Sequence, residues 1–314
     1  MTKYKKLIFD KVKTYSLKDR NSKVNISDFG SVLPKNPSFE DFLNSLPKIL
    51  IGKDFTDFIN KYIRAIRSDS MIVWMMGAHV IKVGLSSIII DAMKNGWISH
   101  LAVNGACVIH DVEVAIWGNT SEDVAEGLED GSFGMAKEST QFINEAVSKG
   151  KDKMGYGEAV AKSLFDTSGP NKDLSLLYNA YILDIPITVH SALGTEIIHQ
   201  HPNVNGAAIG DTSWTDFQVF TKSLSSLNDK SVVFNVGSAV IMPEGFLKAL
   251  TVVRNLGYNA FGFTTATFDM IRHYRPTVNV MQRPTQKSGN GYYFVGHHEI
   301  LIPLLFAAIK TKSI

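Results

Sequence analysis

The stretch from Met71 to Trp117 constrains the fold more than any other part of the chain. It alternates short apolar runs, loops of small residues and helical patterns in the order strand, loop, helix, strand, loop, helix. Short apolar runs bounded by turn signals are typical of strands buried in a parallel sheet. Because parallel strands need long crossover connections, this order predicts consecutive βαβ units.

The same alternation continues toward the C-terminus. Further strands are predicted at 185–190, 231–236 and 260–264, with helices between them and a closing helix at 299–310. We therefore predict an α/β fold with a doubly wound, mostly parallel Rossmann-like sheet behind an N-terminal helical arm.

The chain before residue 70 has a different pattern. Residues 1 to about 37 are polar and irregular, whereas 38–67 carries apolar residues at helical spacing. We predict that 1–69 is an N-terminal arm and helical region, and that 70–314 is the Rossmann-like α/β domain. An arm of this length packs on a neighbouring subunit or wraps its own domain, and the sequence leaves both arrangements open.

Composition excludes several functional classes. The 314 residues carry a net charge of +2 with no long basic run, so nucleic-acid binding has no support. No apolar run reaches the roughly 20 residues of a membrane helix, and the N-terminus lacks the apolar core of a signal peptide. The single cysteine, Cys107, excludes an internal disulfide. These features predict a cytoplasmic protein without a nucleic-acid or membrane partner.

The loops after the predicted strands carry side chains that are useful for chemistry. The carboxyl ends of parallel strands meet at one edge of a sheet, where open α/β folds bind ligands. Small residues there let a ligand approach the backbone, although they could equally serve only to permit tight turns. No GxGxxG or P-loop motif is present. The predicted ligand-binding residues are Gly77, Ala78, His79, Asn104, Gly105, Thr265, Ala266 and Asp269.

Three polar residues in these loops are predicted to be catalytic: His110, Asp111 and Glu196. His110 and Asp111 lie where the loop after the second strand enters a helix. A helix N-terminus lowers the pKa of an imidazole, which suits a neutral acid/base histidine. Plain helix capping explains Asp111 equally well. Glu196 lies in the small-residue loop after the strand at 185–190.

The histidines raise the question of a metal site. His199 with His201, and His297 with His298 and Glu299, are the closest groupings of possible ligands. Alternate residues share a face only in extended chain, and adjacent histidines rarely chelate together. We therefore predict no metal site, and a metal-dependent hydrolase remains an alternative hypothesis.

The order of these loops resembles the deoxyhypusine synthase family over roughly residues 70–310. Gly77–Gly84 stands where that family has a Thr-Ser-Asn loop, and Val103–Asp111 is similar to its Thr-Thr-Ala-Gly-Gly segment. Ile185–Glu196 resembles its Ile-Pro strand and Ala-Leu-Thr-Asp-Gly loop. Thr264–Asp269, followed by Arg275–Pro276, resembles its Asn-Thr-Ala…Phe-Asp…Arg-Pro run near the nicotinamide cofactor.

The resemblance implies a Rossmann-like fold, NAD binding without GxGxxG, and a homo-oligomer, dimer or tetramer. The family transfers an aminobutyl group from spermidine through an active lysine that holds an imine. Here the matching place, Gly237–Gly245, has no lysine, and Lys248 is the nearest. The family's acidic pair is replaced by Ile109 and His110. The resemblance therefore supports the fold and the cofactor-sized cleft better than the lysine chemistry.

The function hypothesis is an NAD-binding enzyme, of transferase or oxidoreductase type, acting on a small polar and possibly amine-containing substrate. A true deoxyhypusine synthase is not expected. The alternatives are a noncatalytic small-molecule-binding protein on the same fold and the metal-dependent hydrolase.

Overall fold

The computed structural model describes residues 1–313 and places a parallel sheet at the centre of the chain. In this range the six strands are β1 (Ile72–Met76), β2 (His100–Asn104), β3 (Ile187–His190), β4 (Val232–Val236), β5 (Thr264–Asp269) and β6 (Asn290–Val295). They lie in the order β3-β2-β1-β4-β5-β6, and each neighbouring pair is parallel. The strand order reverses between β1 and β4, as in doubly wound Rossmann-like folds. The predicted fold class is confirmed.

Helices connect the strands and cover both faces of the sheet. Over residues 1–313 the α-helices are α1 (Phe39–Ser45), α2 (Leu50–Arg67), α3 (His79–Lys82), α4 (Ser86–Lys94), α5 (Gly105–Trp117), α6 (Val124–Asp130), α7 (Lys137–Gly150), α8 (Tyr156–Asp166), α9 (Leu176–Ile182), α10 (Gly206–Leu224), α11 (Ile241–Asn255) and α12 (His298–Ser313). A π-helical segment, Pro276–Gln282, precedes β6. Within the described residues, no helix combines the length and apolarity needed to cross a bilayer.

One face of the sheet is covered by an aromatic core. Phe58 and Tyr62 of α2 pack edge-on against Phe234 of β4, with ring centroids 5.2 and 4.8 Å away. Trp74 of β1 stacks on Phe306 of α12. These rings are buried, and each buried aromatic side chain contributes roughly 2–3 kcal/mol of hydrophobic stabilisation. Helix α2 of the N-terminal region thus packs directly on the sheet.

The opposite face has a second core and a row of polar residues. Helices α10 and α11 bury Phe220 and Phe246 together with Val73, Met75 and Val233 of the strands. Toward the β3 edge this face becomes polar because buried histidines and threonines replace the aliphatic side chains. The two faces therefore differ in chemistry as well as in the helices that cover them.

The position of β5 differs from the sequence-based prediction. The sequence predicts a strand over 260–264, whereas β5 begins at Thr264. Gly262 has a φ of +81°, which an extended strand does not adopt. The β-branched Thr264 and Thr265 favour the pleated conformation that follows. Thr265 and Ala266 consequently lie inside the sheet and not in a loop at its carboxyl edge.

Strand β6 is absent from the sequence-based prediction. Residues 283–291 are rich in proline, glycine and serine, which indicates an exposed connection. The structure begins β6 at Asn290 and buries Tyr292, Tyr293 and Phe294. A short edge strand preceded by turn residues gives little period-two signal, so β5 supplies the pairing that defines it.

Candidate active site

A cavity of about 620 Å³ lies at the carboxyl edge of the sheet, above the ends of β2 and β3. Helix α5 starts directly after β2 and forms one wall, while the loop after β3 forms another. Helices α6 and α7 enclose the remaining side. The polar residues central to its chemistry are Lys82, His110, Glu113, Thr120, Glu138 and Glu196.

His110 is held by a short hydrogen-bond chain. The Thr120 hydroxyl donates to Glu113 Oε2 over 2.5 Å, and Thr120 Oγ1 lies 2.6 Å from His110 Nδ1. Because the Thr120 hydroxyl donates its proton to the bond with Glu113, Thr120 Oγ1 must accept a hydrogen bond from His110 Nδ1–H. The tautomer assigned by this network leaves His110 Nε2 with a lone pair for a ligand.

The surroundings of His110 keep its imidazole neutral. Burial and then the charge of Lys82 lower its pKa to about 4. At neutral pH this residue accepts hydrogen bonds through Nε2 and carries no charge. The imidazole is neutral as predicted, but the predicted cause was wrong. Helix α5 begins at Gly105, so His110 lies in its second turn, and burial with Lys82 lowers its pKa in place of the helix N-terminus. Its catalytic role stays a prediction.

Glu196 enters the same cavity from the loop after β3. It is nearly buried, and burial raises its pKa to about 7, although Ala192 N–H and the Ser191 hydroxyl each donate to it over 3.2 Å. Both protonation states are therefore populated near neutral pH. A carboxyl group with this property can take up and release a proton during catalysis.

His199 supports the Glu196 loop. Its Nδ1 accepts N–H groups from Gly194 at 3.1 Å and from Glu196 at 3.4 Å. The proton must then reside on Nε2, which lies 3.6 Å from Glu196 Oε2. Burial lowers the pKa of His199. The histidine thus binds the backbone on one side and directs an N–H toward the carboxyl on the other.

Two glycines among the predicted ligand-binding residues lie against other groups of the protein. A Cβ atom on Gly105 would lie 1.9 Å from Glu196 Oε2, so the absent side chain is replaced by that carboxylate. A Cβ on Gly77 would lie 2.2 Å from the carbonyl oxygen of Gly237, where the ends of β1 and β4 meet. Glycine is required at Gly77, where the neighbour is backbone, whereas a side chain at Gly105 would displace the Glu196 carboxyl.

The remaining predicted cofactor residues are divided between several locations. Asn104 caps α5, with Oδ1 accepting from Cys107 N–H at 3.2 Å. Ala78 packs against the hydrophobic core. Asp269 ends β5, where its Oδ1 accepts from Met270 N–H at 2.8 Å. His79 lies beside His298, with ring centroids 5.5 Å apart.

The crevice between β1 and β4 is packed by the protein's own side chains. His298 is buried, its Nε2 lies 3.1 Å from the Phe268 carbonyl oxygen, and its ring rests against Gly237. Doubly wound folds bind dinucleotides at this switch point. Here the imidazoles of His79 and His298 take that place, and the open space lies over α5 instead.

Asp111 lies outside the cavity. Its carboxylate accepts the Ser175 hydroxyl at 2.5 Å and the N–H groups of Leu176 and Leu177 at 2.7 and 3.1 Å. It therefore caps α9, a helix remote in sequence. Burial raises its pKa to about 6 against the opposing effect of these hydrogen bonds. The structure does not bring Asp111 to His110 Nε2, and the capping interpretation describes its contacts.

Several residues of the site are missing from the sequence-based set. Glu113 shares the α5 face with His110, a spacing that helical periodicity could have revealed. Thr120 is interpreted from sequence as a helix cap, but Asp123 caps α6 by accepting from Ala125 N–H at 2.9 Å. Lys82 carries no local signal, because only the fold brings it to the cavity. The sequence marks His199 only as a possible metal ligand, whereas in the structure it holds the Glu196 loop.

Three residues singled out by sequence lie outside the cavity: Lys248, His201 and His297. Lys248 is exposed on α11 and pairs with Glu244. His201 lies 2.9 Å from the Gly134 carbonyl through Nε2, and His297 is exposed beside Glu299. Among residues 1–313 no three His, Cys, Asp or Glu side chains form a group that could hold a metal ion.

Comparison with known proteins supports the fold alone. No family model and no curated protein sequence matches the chain. Among solved structures, a candidate deoxyhypusine synthase from Entamoeba histolytica superposes with a TM-score of 0.56 at 13% identity, covering 90% of this chain and 97% of that one. The predicted fold-level resemblance to deoxyhypusine synthase is therefore confirmed.

Larger proteins contain the same fold. AgrE, in a complex with ornithine and NAD+, matches with a TM-score of 0.53 at 12% identity, over 82% of this chain and 33% of AgrE. ArgZ, an arginine dihydrolase from the ornithine-ammonia cycle in cyanobacteria, matches with a TM-score of 0.50 at 13% identity, over 84% of this chain and 33% of ArgZ. The chain thus spans about a third of these two proteins.

Proposed function

We propose that this protein is an enzyme that exchanges a proton with a small, amine-containing substrate in the cavity between α5 and the loop after β3. The observation that carries the proposal is the pairing, in one cavity, of a carboxyl group poised near neutral pH with a neutral imidazole. Glu196 and His110 supply these groups from different strands of the sheet.

The charge of the cavity supports an amine. Four carboxylate residues, Glu113, Glu122, Glu138 and Glu196, and one cationic residue, Lys82, are among the described residues that line it. Away from Lys82, such a wall attracts an ammonium group. Trp117 also lines the cavity and offers a ring face on which a cation can rest.

The two central residues take different roles because their pKa values differ. Ionised Glu196 accepts a proton from the substrate's ammonium or hydroxyl group, since its pKa is matched to neutral pH. His110 is too weak a base to compete for that proton and instead accepts a hydrogen bond through Nε2. The chain through Thr120 to Glu113 holds the ring in this tautomer.

NAD is the proposed cofactor, and the residues fit it at the α5 side of the cavity only. The first turn of α5 at Ala106 and the Lys82 ammonium both line the cavity and suit an anionic phosphate. The packed crevice beside Gly77, His79 and His298 does not fit a pyrophosphate as it stands. When bound there, NAD+ would supply a hydride acceptor for the oxidation of a substrate carbon.

Calorimetric titration tests this assignment. We expect NAD+ or NADH to bind at micromolar to millimolar concentration, and Lys82→Gln to weaken binding about tenfold by removing a charge-assisted contact. Lys248→Gln is the matched control, because that lysine is exposed on α11 and should leave affinity unchanged. If the wild type binds neither nucleotide at millimolar concentration, the cofactor is excluded.

Substrate class is tested separately with charged and uncharged ligands of one shape. We expect 1,4-diaminobutane to bind and 1,4-butanediol to bind at least tenfold more weakly, since only the diamine pairs with the carboxylates. Equal binding of the two ligands would exclude an amine as the substrate class. Amine binding without turnover in the presence of NAD+ would favour the second candidate, a noncatalytic binding protein on this fold.

A homo-oligomer is also proposed, and the N-terminal arm supports it. Residues 1–37 are almost wholly exposed, and Leu7, Ile8 and Phe9 keep 81, 68 and 69% of their surface accessible. Contiguous exposed apolar side chains mark interaction sites. We expect light scattering to give a dimer or tetramer of the 34.7 kDa chain, and deletion of residues 1–37 to reduce it. A monomer at micromolar concentration would contradict this.

A further inference from the structure

A second cavity, of about 350 Å³, lies on the other side of the loop after β3, against α10. The described residues that line it are uncharged at neutral pH. Its wall combines aliphatic and aromatic groups with a buried imidazole at one end. This is a different environment from the carboxylate-rich cavity over α5, and the proposed function makes no use of it.

Aromatic side chains form the open wall of the cavity. Trp214 and Phe217 of α10 stack with ring centroids 5.5 Å apart at an interplanar angle of 22°. Trp214 remains 59% exposed and Leu193, across the cavity, 60% exposed. An exposed indole beside a cavity offers a planar ligand a stacking surface, which adds roughly 1 kcal/mol to the burial of its area.

His190 forms the polar end of the cavity. The residue is 8% exposed, and its Nε2 lies 3.2 Å from Thr188 Oγ1. Within residues 1–313 its Nδ1 has no hydrogen-bond partner. This nitrogen keeps a small accessible surface. Burial lowers the pKa of His190 to about 4, so the ring is neutral. One ring nitrogen is thus left without a partner, beside Gly245 of α11.

A buried hydrogen-bond chain continues behind His190. Thr188 Oγ1 lies 2.9 Å from His100 Nε2, and His100 Nδ1 lies 2.8 Å from Ser223 Oγ. The chain has two self-consistent arrangements. If Ser223 donates to His100, every proton points toward the cavity and His190 Nδ1 is a donor. If His190 donates to Thr188, the chain runs the other way and Nδ1 is an acceptor.

We propose that this cavity binds an uncharged nitrogen-containing aromatic ring, which stacks on Trp214 and hydrogen-bonds to His190 Nδ1. The cavity volume accommodates a single mono- or bicyclic ring. Because the chain can reverse, the site accepts both a ligand with a ring N–H and one with a ring nitrogen lone pair. Ser223, which lies on α10 outside the cavity wall, sets the balance between them.

Three bicyclic probes of similar size test the polar end at pH 8. Indole offers a donor, quinoline an acceptor and naphthalene neither. We expect indole and quinoline to bind the full-length protein at one site per chain in saturation-transfer NMR and calorimetry, and naphthalene to bind about tenfold more weakly for want of the hydrogen bond. Trp214→Ala should weaken all three. Naphthalene binding as tightly as the others, or no binding at millimolar concentration, would overturn the proposal.

Ser223→Ala tests the chain itself. In the arrangement that makes His190 Nδ1 an acceptor, His100 donates its Nδ1–H to Ser223. Removing the hydroxyl leaves this buried N–H without an acceptor, which costs free energy. We expect indole affinity to fall about fivefold more than quinoline affinity, a selective change that general damage to the fold would not produce. Ser225→Ala, just beyond the C-terminal end of the same helix, is the matched control, because this hydroxyl donates only to the Lys222 carbonyl. Equal effects of the two variants on both probes would overturn the reversible chain.

Discussion

Replacing Glu196 by glutamine is expected to lower kcat by about 10² to 10⁴, the usual contribution of a general acid or base. The amide keeps the size of the side chain but cannot exchange a proton. Wild-type kcat/KM should rise with pH through about 7 as Glu196 ionises. The kcat/KM of the variant should not rise over this pH range. Glu145→Gln is the control, since Glu145 is exposed on α7 and does not line the cavity.

Stability measurements separate this effect from unfolding. Burial raises the folded-state pKa of Glu196 above its unfolded value, so the native state binds the extra proton between about pH 4.5 and 7. Stability contributed by this group therefore falls as pH rises through that window. Above pH 7 the Glu196→Gln variant is expected to be more stable than wild type, by about 3 kcal/mol. A variant that is less stable and retains turnover would contradict both the role and the environment assigned to Glu196.

Replacing Asp111 by alanine is expected to destabilise the fold by about 3–5 kcal/mol, a loss typical of removing one partner from a buried charged network. The substitution leaves three donors at the start of α9 without an acceptor: the Ser175 hydroxyl and the N–H groups of Leu176 and Leu177. Denaturant titration followed by circular dichroism measures the loss.

A second capping aspartate provides the comparison. Asp123 caps α6 at an exposed position, and Asp123→Ala should cost only about 1 kcal/mol because water replaces the lost acceptor. Asp111→Asn, which keeps an acceptor of the same shape, should lie between the two alanine variants. If Asp111→Ala costs no more than Asp123→Ala while turnover disappears, Asp111 acts in chemistry and not in capping.

Part of the candidate site follows from sequence. His110 and Glu196 lie in loops after predicted strands, and parallel strands bring such loops to one edge whatever their separation along the chain. The absence of a side chain at Gly105 is also visible, but the sequence assigns the space beside it to a cofactor. The structure assigns that space to the Glu196 carboxylate. A glycine indicates that another group lies close to the backbone, but the sequence does not identify that group.

Other parts of the site have no local signal. Thr120 and Asp123 lie three residues apart, and either could cap α6. In the structure Asp123 is the cap, and Thr120 bonds to His110. Local pattern cannot decide between them because both residues suit the position. Burial of the Glu196 carboxyl, which gives it a pKa near 7, likewise arises from helices that are distant in sequence.

The sequence by itself determined the α/β class, the parallel sheet and its edge of polar loops, because hydrophobic periodicity and turn residues act over a few neighbouring positions. It could not place β5, since Gly262 and the threonines after it favour a strand start that apolar content alone does not show. Only the tertiary structure decided that His79 and His298 fill the β1–β4 crevice and that the open cavity lies over α5. Those outcomes depend on packing between distant segments, where shape, burial and hydrogen-bond competition act together.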